Sequence, residues 1–231
     1  MPEGGARPPR VLFVIPRLEP GGSEGQLTEL VLRAHPDRLQ STIATLYPTA
    51  SRRHLDRLTE HGVPVHVLSG GRGRTRALGG ALARLPGLIR SSGADVVYAW
   101  LEEAAAVAVP SAKLRRVPVA VARRNVCGSS LERHAPLRIA IRRIEASAAV
   151  VTANSRAGAE EAVRRGIDPP RVRVVPNCHE PLPALPQPAG PRVRLGCMAH
   201  LRPEKGHARL LEALALLPEE LDWRADLAGS G

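Results

Sequence analysis

Short apolar runs recur along the chain, each followed by a segment of helical spacing. The runs lie at 10–15, 41–46, 64–68, 95–99, 118–122, 149–153 and 171–175. Several are continuous in Val, Ile, Leu and Ala rather than alternating, as strands covered on both faces require. Helical spacing fills 23–34, 51–61, 75–91, 102–114, 131–147 and 155–165, the last with Ser155 as candidate N-cap and Gly166 as stop. Strand and helix in steady alternation predict an α/β domain around a parallel sheet with right-handed crossovers.

The alternation breaks where prolines 176, 181, 183, 186, 188 and 191 crowd together. Such a stretch predicts a stiffened interdomain linker. It then restarts with a strand at 192–198, a helix at 206–217 and a strand at 223–228 running into Gly229-Ser230-Gly231. The expected organisation is therefore a Rossmann-like domain over 1–175, a linker over 176–191, and the incomplete start of a second Rossmann-like domain over 192–231. About 40 residues cannot close such a domain, so the chain reads as truncated.

Composition narrows the class. With 43% hydrophobic and 24% charged residues the chain is neither a disordered tail, a collagen nor a coiled coil. Phe13, Tyr47, Tyr98, Trp100 and Trp223 are its only aromatics, too few for rows that stack on single-stranded nucleic acid. The net charge of +11 lies within 1–189, whereas 190–231 holds six basic and six acidic residues and is neutral. The first part thus faces, or tolerates, an acidic partner. Cys127, Cys178 and Cys197 show no paired spacing, which argues against a disulfide framework or a zinc site and for a reducing compartment. The apolar stretch 104–112 is far short of the roughly 18 residues of a membrane span. The run 11–15 is too short for a signal-peptide core.

Three segments carry candidate chemistry. Pro20-Gly21-Gly22-Ser23-Glu24 opens the first helix, where glycines let backbone N–H groups approach a phosphate or a sugar; a plain turn reads equally well. Leu201-Arg202-Pro203-Glu204-Lys205-Gly206-His207 sets two cations before a helix N-terminus, a diphosphate site or simply a solvated charged loop. The strand ends Ala153-Asn154-Ser155 and Val174-Val175-Pro176-Asn177 lie at a carboxyl edge, where open α/β sheets bind ligands.

Taken together, in this order and spacing from Val11 to Gly231, these segments resemble the family-4 glycosyltransferases of the GT-B fold. The segment 95–101 followed by Arg123-Arg124-Asn125 is similar to members that build cell-surface polysaccharides. The resemblance implies a retaining transferase that takes a nucleotide-diphosphate sugar as co-substrate, with no other cofactor and no required metal. The acceptor, a cell-envelope or exopolysaccharide glycan or a lipid-linked sugar, would sit on the N-terminal domain. By the same match Arg202 and Lys205 would be catalytic, neutralising the leaving diphosphate. Gly21, Gly22, Gly229 and Gly231 would approach the donor phosphates. Trp100, Arg123, Arg124 and Asn154 would line the acceptor side, Arg123 and Arg124 being equal candidates.

The chain departs from the family pattern at Cys178, where Gly is usual, at Glu180 for Asp, and at Trp100 for His. Two glutamates that follow the Gly-x-Gly turn in this family lie beyond residue 231, which implies an inactive fragment. Arg138, Arg142 and Arg143 oppose a stripe of Leu137, Ile141, Ile144 and Ala148 on one helix. That face is either plainly solvated or a contact with anionic lipid at the inner face of the plasma membrane, in the cytoplasm. The alternative to a transferase is a non-catalytic basic module that binds nucleic acid or anionic membrane.

Overall fold

A computed structural model describes residues 7–70, 73–124, 135–178, 192–201 and 203–229. The chain divides into two compact units, Met1–Glu180 and Pro181–Gly231.

The first unit alternates strand and helix as the hydrophobic pattern predicts. Its order is β1 (Arg10–Ile15), α1 (Gly22–Arg33), β2 (Gln40–Thr45), α2 (Arg53–Glu60), β3 (Val65–Val67), α3 (Arg74–Ser91) and β4 (Val96–Trp100). Then follow α4 (Glu102–Leu114), β5 (Val119–Arg123), α5 (Ala135–Ala146), β6 (Val150–Ala153), α6 (Arg156–Arg164) and β7 (Val172–Val174). The seven strands form one parallel sheet in the order β3-β2-β1-β4-β5-β6-β7. The order reverses between β1 and β4, so the loops after those strands diverge and leave a crevice at the carboxyl edge.

Alternation along each strand sorts side chains between two cores. On one face Leu12, Val14, Val97, Ala99, Val119 and Val121 pack against Ala81 and Leu85 of α3 and Ala104 and Ala108 of α4. On the other, Phe13, Ile15, Ile43, Trp100 and Ala122 meet Leu27 and Val31 of α1 and Leu58 of α2. Both faces are dry, which is why the strands read as continuous apolar runs. Each large side chain so buried stabilises the fold by about 1.5–3 kcal/mol. Pro86 and Pro110 lie inside α3 and α4 without ending them. Helix α5 exposes Arg138, Arg142 and Arg143 and buries Ile141, as its spacing predicts, and it also exposes Ile139. Residues 131–134 of the expected helix, and the side chain of Leu137, lie outside the description.

The second unit holds β8 (Val193–Met198), α7 (His207–Leu214) and β9 (Trp223–Ala228), with β8 and β9 paired in parallel from Val193 opposite Trp223. A 3-10 turn at Pro203–Lys205 precedes α7, and Gly206 enters the helix at φ +71, a conformation that favours glycine. Gly229 follows β9 with its backbone against the Ala199 carbonyl, where a Cβ has no room. Helix α7 ends at Leu214, three residues short of the expected 217, and Leu214 is buried while Val193, Leu195, Leu211 and Leu227 are exposed. Among the described residues no helix is long and apolar enough to cross a membrane.

Candidate functional site

The crevice at the carboxyl edge of the first unit is built from the loop after β1 and the ends of β4, β5, β6 and β7. Glu19 fixes the first loop by accepting the backbone N–H groups of Ala50 and Ser51 at 2.8 and 3.2 Å. Gly21 caps α1 in an extended conformation, and Gly22 is its first residue. A side chain on Gly22 would meet nothing, whereas one on Gly21 would run into the Glu24 carboxyl, which folds back over the helix entry. Burial raises the Glu24 carboxyl above its ordinary range, against the lowering effect of its own backbone N–H. Beneath it, Thr28 Oγ1 donates to the Glu24 carbonyl at 2.9 Å and meets His54 Nδ1 at 3.2 Å. With the hydroxyl proton committed to the carbonyl, Nδ1 carries the ring proton and donates to Oγ1. Burial, then the nearby Arg53 and Arg57, lower His54 below its ordinary value and keep it neutral.

Trp100 ends β4 at only 3% exposure. Its indole N–H donates to the Ser23 carbonyl at 2.9 Å, which ties β4 to the glycine turn. The Arg124 guanidinium covers its ring, 4.7 Å from the centroid, and Tyr98 meets its edge at 5.5 Å. Such a cation–π contact is worth about 0.5–1 kcal/mol when exposed and more when desolvated. Arg124 also donates through Nη2 to Asn177 Oδ1, beyond β7. Burial lowers Arg124 from its ordinary value. It stays cationic at any working pH.

The segment after β7 is strapped to α1. Gln26 donates to the Cys178 carbonyl and accepts its N–H, each at 2.9 Å, so one side-chain amide pairs with the backbone as a strand would. Gln26, Leu30, Trp100, Val175, Pro176 and Cys178 line part of an apolar pocket of about 300 Å³, with the Glu29–Arg33 ion pair at its side. Asn154 stands half-buried at the end of β6, and the next residue, Ser155, caps α6 by accepting the Gly158 N–H at 3.1 Å.

The structure corrects the sequence reading of Arg123. It was an equal candidate with Arg124 for the acceptor side, yet it is 2% exposed and turned to the opposite face of the sheet. There Nη1 donates to Glu145 Oε2 at 2.5 Å, and Nη2 lies 3.2 Å from Glu102 Oε1. Trp100, expected to line the acceptor side, gives its indole N–H to Ser23 and stands in the wall of the pocket. Lys205 is exposed in the 3-10 turn ahead of α7. Arg202 and Gly231 lie outside the described residues. Among the described residues no three His, Cys, Asp or Glu side chains group to hold a metal ion. Gln26 escaped the sequence reading, and Asn177, expected at a strand end, proves also to be the partner of Arg124. The partner of Gln26 is a backbone 152 residues away, and a backbone leaves no mark on sequence.

The description "glycosyl transferase 4-like domain" matches residues 21–178, from the glycine turn to the strapped segment. The chain belongs to this glycosyltransferase family. No curated protein matches it. Among solved structures it is similar to Anabaena HepE in complex with UDP, at 20% identity and a TM-score of 0.70, over 94% of this chain and 60% of that one. It is also similar to the apo form of the lipopolysaccharide outer core galactosyltransferase WaaB, at 14% identity and 0.68, over 96% and 61%. A glycosyltransferase from Rickettsia africae matches at 14% and 0.66, over 97% and 61%. The α/β fold is of the GT-B type, and the chain spans about 60% of the length of these neighbours.

Proposed function

We propose that the protein transfers a sugar from a nucleotide-diphosphate donor to a cell-envelope or exopolysaccharide acceptor, with retention at the anomeric carbon and without a metal. The observation that carries this reading is the open Gly22 turn at the switch point of the sheet, within a family of sugar transferases. HepE structures hold UDP, UDP-glucose, or UDP with glucose, which supports a uridine nucleotide as the first donor to try. On this reading Lys205, with Arg202, stabilises charge that grows on the departing diphosphate, and the amides before α7 assist. Gly229, just after β9, and Gly231 offer their backbone to the donor phosphates. Arg124 and Asn154 face the acceptor. The acceptor is lipid-linked, and the exposed Arg138, Ile139, Arg142 and Arg143 rest on anionic lipid at the inner face of the membrane, each cation adding about 1 kcal/mol.

The test uses the product of the whole reading frame, a panel of labelled nucleotide sugars including UDP-glucose, and a membrane fraction as acceptor. The expected result is label transferred with retained configuration, insensitive to chelator, and a turnover lowered about 10²–10³-fold by Lys205→Ala. An inverted product, loss on chelation, or unchanged turnover in Lys205→Ala overturns the mechanism. Salt-dependent binding to any DNA duplex, with no response to nucleotide sugars, favours a basic binding module instead.

A further inference from the structure

The buried group under the crevice is unbalanced. Arg123, Glu102 and Glu145 are at most 4% exposed, and one guanidinium serves two carboxylates. Both Glu102 oxygens, Glu145 Oε1, and Arg123 Nε and Nη2 have no hydrogen-bond partner among the described residues. The Glu102 contact is thus a charge pairing at 3.2 Å without hydrogen-bond geometry, while Glu145 takes the good bond. A dry site cannot hold a net negative charge cheaply, which favours the protonated form of the Glu145 carboxyl.

This group is joined through the backbone to the crevice above it. Glu102 comes two residues after Trp100, and the residue between them, Leu101, holds φ +79, a conformation that favours glycine. Arg123 immediately precedes Arg124. The Leu101 N–H donates to the Ala122 carbonyl at 3.1 Å and completes the link between the two strand ends. Both residues of the Trp100–Arg124 stack therefore stand on backbone pinned by one buried cation.

We propose that Glu102, Arg123 and Glu145 form a positioning unit for the Trp100–Arg124 stack, and that the charge state of Glu145 sets the geometry of that stack. Three groups face Glu145: Arg123 from β5, Glu102 from α4, and Arg165 just after α6, itself paired with Glu161 at 2.8 Å. Burial pushes the Glu145 carboxyl up to about 7; Arg123 and Arg165 pull it down, and Glu102 pushes it further up. The unit changes charge close to neutral pH. The inference concerns the first unit alone and does not depend on which sugar is transferred.

The test reads Trp100 emission in a Trp223→Phe background, which leaves one indole, from about pH 5 to about pH 8. The expected result is one transition with a midpoint near the Glu145 value of about 7, absent in Glu145→Gln. A flat titration, or the same transition in Glu145→Gln, overturns the proposal. Should Glu145→Gln not fold, Glu102→Gln serves. Removal of the repelling carboxylate then moves the midpoint to lower pH, and an unmoved midpoint overturns the proposal equally.

Discussion

Two layers of one sheet edge put adjacent arginines to opposite uses. Below, Arg123 is sealed at 2% exposure between Glu102 and Glu145. Above, Arg124 spans the Trp100 ring and Asn177 beside the crevice. Strand geometry alone makes the difference. Val119 and Val121 point to the α3–α4 core, and Arg123, two residues on, shares their face; Ala122, with Tyr98 and Trp100 of the adjacent strand, belongs to the α1 side. One position along β5 therefore separates a residue that holds the fold from one that can meet a ligand.

The largest expected effect is on the lower layer. Arg123→Met leaves two buried carboxylates without their cation and should cost about 3–5 kcal/mol, read as a fall in the denaturant midpoint. A loss comparable to that of an ordinary surface substitution would remove the distinction between the layers.

A smaller effect follows from pH. The Glu145 pKa is raised in the folded state, to about 7 from an ordinary 4.5, so the folded protein binds the proton more tightly than the unfolded chain. This contribution to stability is fully present below the ordinary value, is lost as pH rises through about 7, and is constant above. The melting temperature of the wild type should thus fall across that window relative to Glu145→Gln, whose side chain titrates nowhere in it. Parallel curves for the two proteins would place the proton on another group.

Much of this was readable beforehand, and the residues show where reading stopped. The strands of the first unit stood out because both their faces are dry and their apolar runs unbroken. The choice between Arg123 and Arg124 needed parity, and the expected strand stopped at 122, one residue before Arg123. A usable sign was present: Glu145 falls four residues after Ile141 on the buried stripe of α5, and a carboxylate there requires an inward cation. The Arg124–Asn177 and Gln26–Cys178 contacts join segments 53 and 152 residues apart through tertiary packing, which local pattern does not encode.

The smallest expected change in stability tests the central distinction most directly. Arg124→Met removes one cation–π contact and one hydrogen bond at a partly open site, and should cost the fold no more than about 2 kcal/mol. In the product of the whole reading frame it should nonetheless lower sugar transfer, with folding intact by melting temperature. The decisive measurement is the transfer rate of Arg124→Met alongside its melting temperature, with Arg123→Met melted in parallel. A folded, transfer-deficient Arg124→Met beside a severely destabilised Arg123→Met is the predicted outcome. An Arg124→Met protein that transfers like the wild type, or unfolds as readily as Arg123→Met, would contradict it.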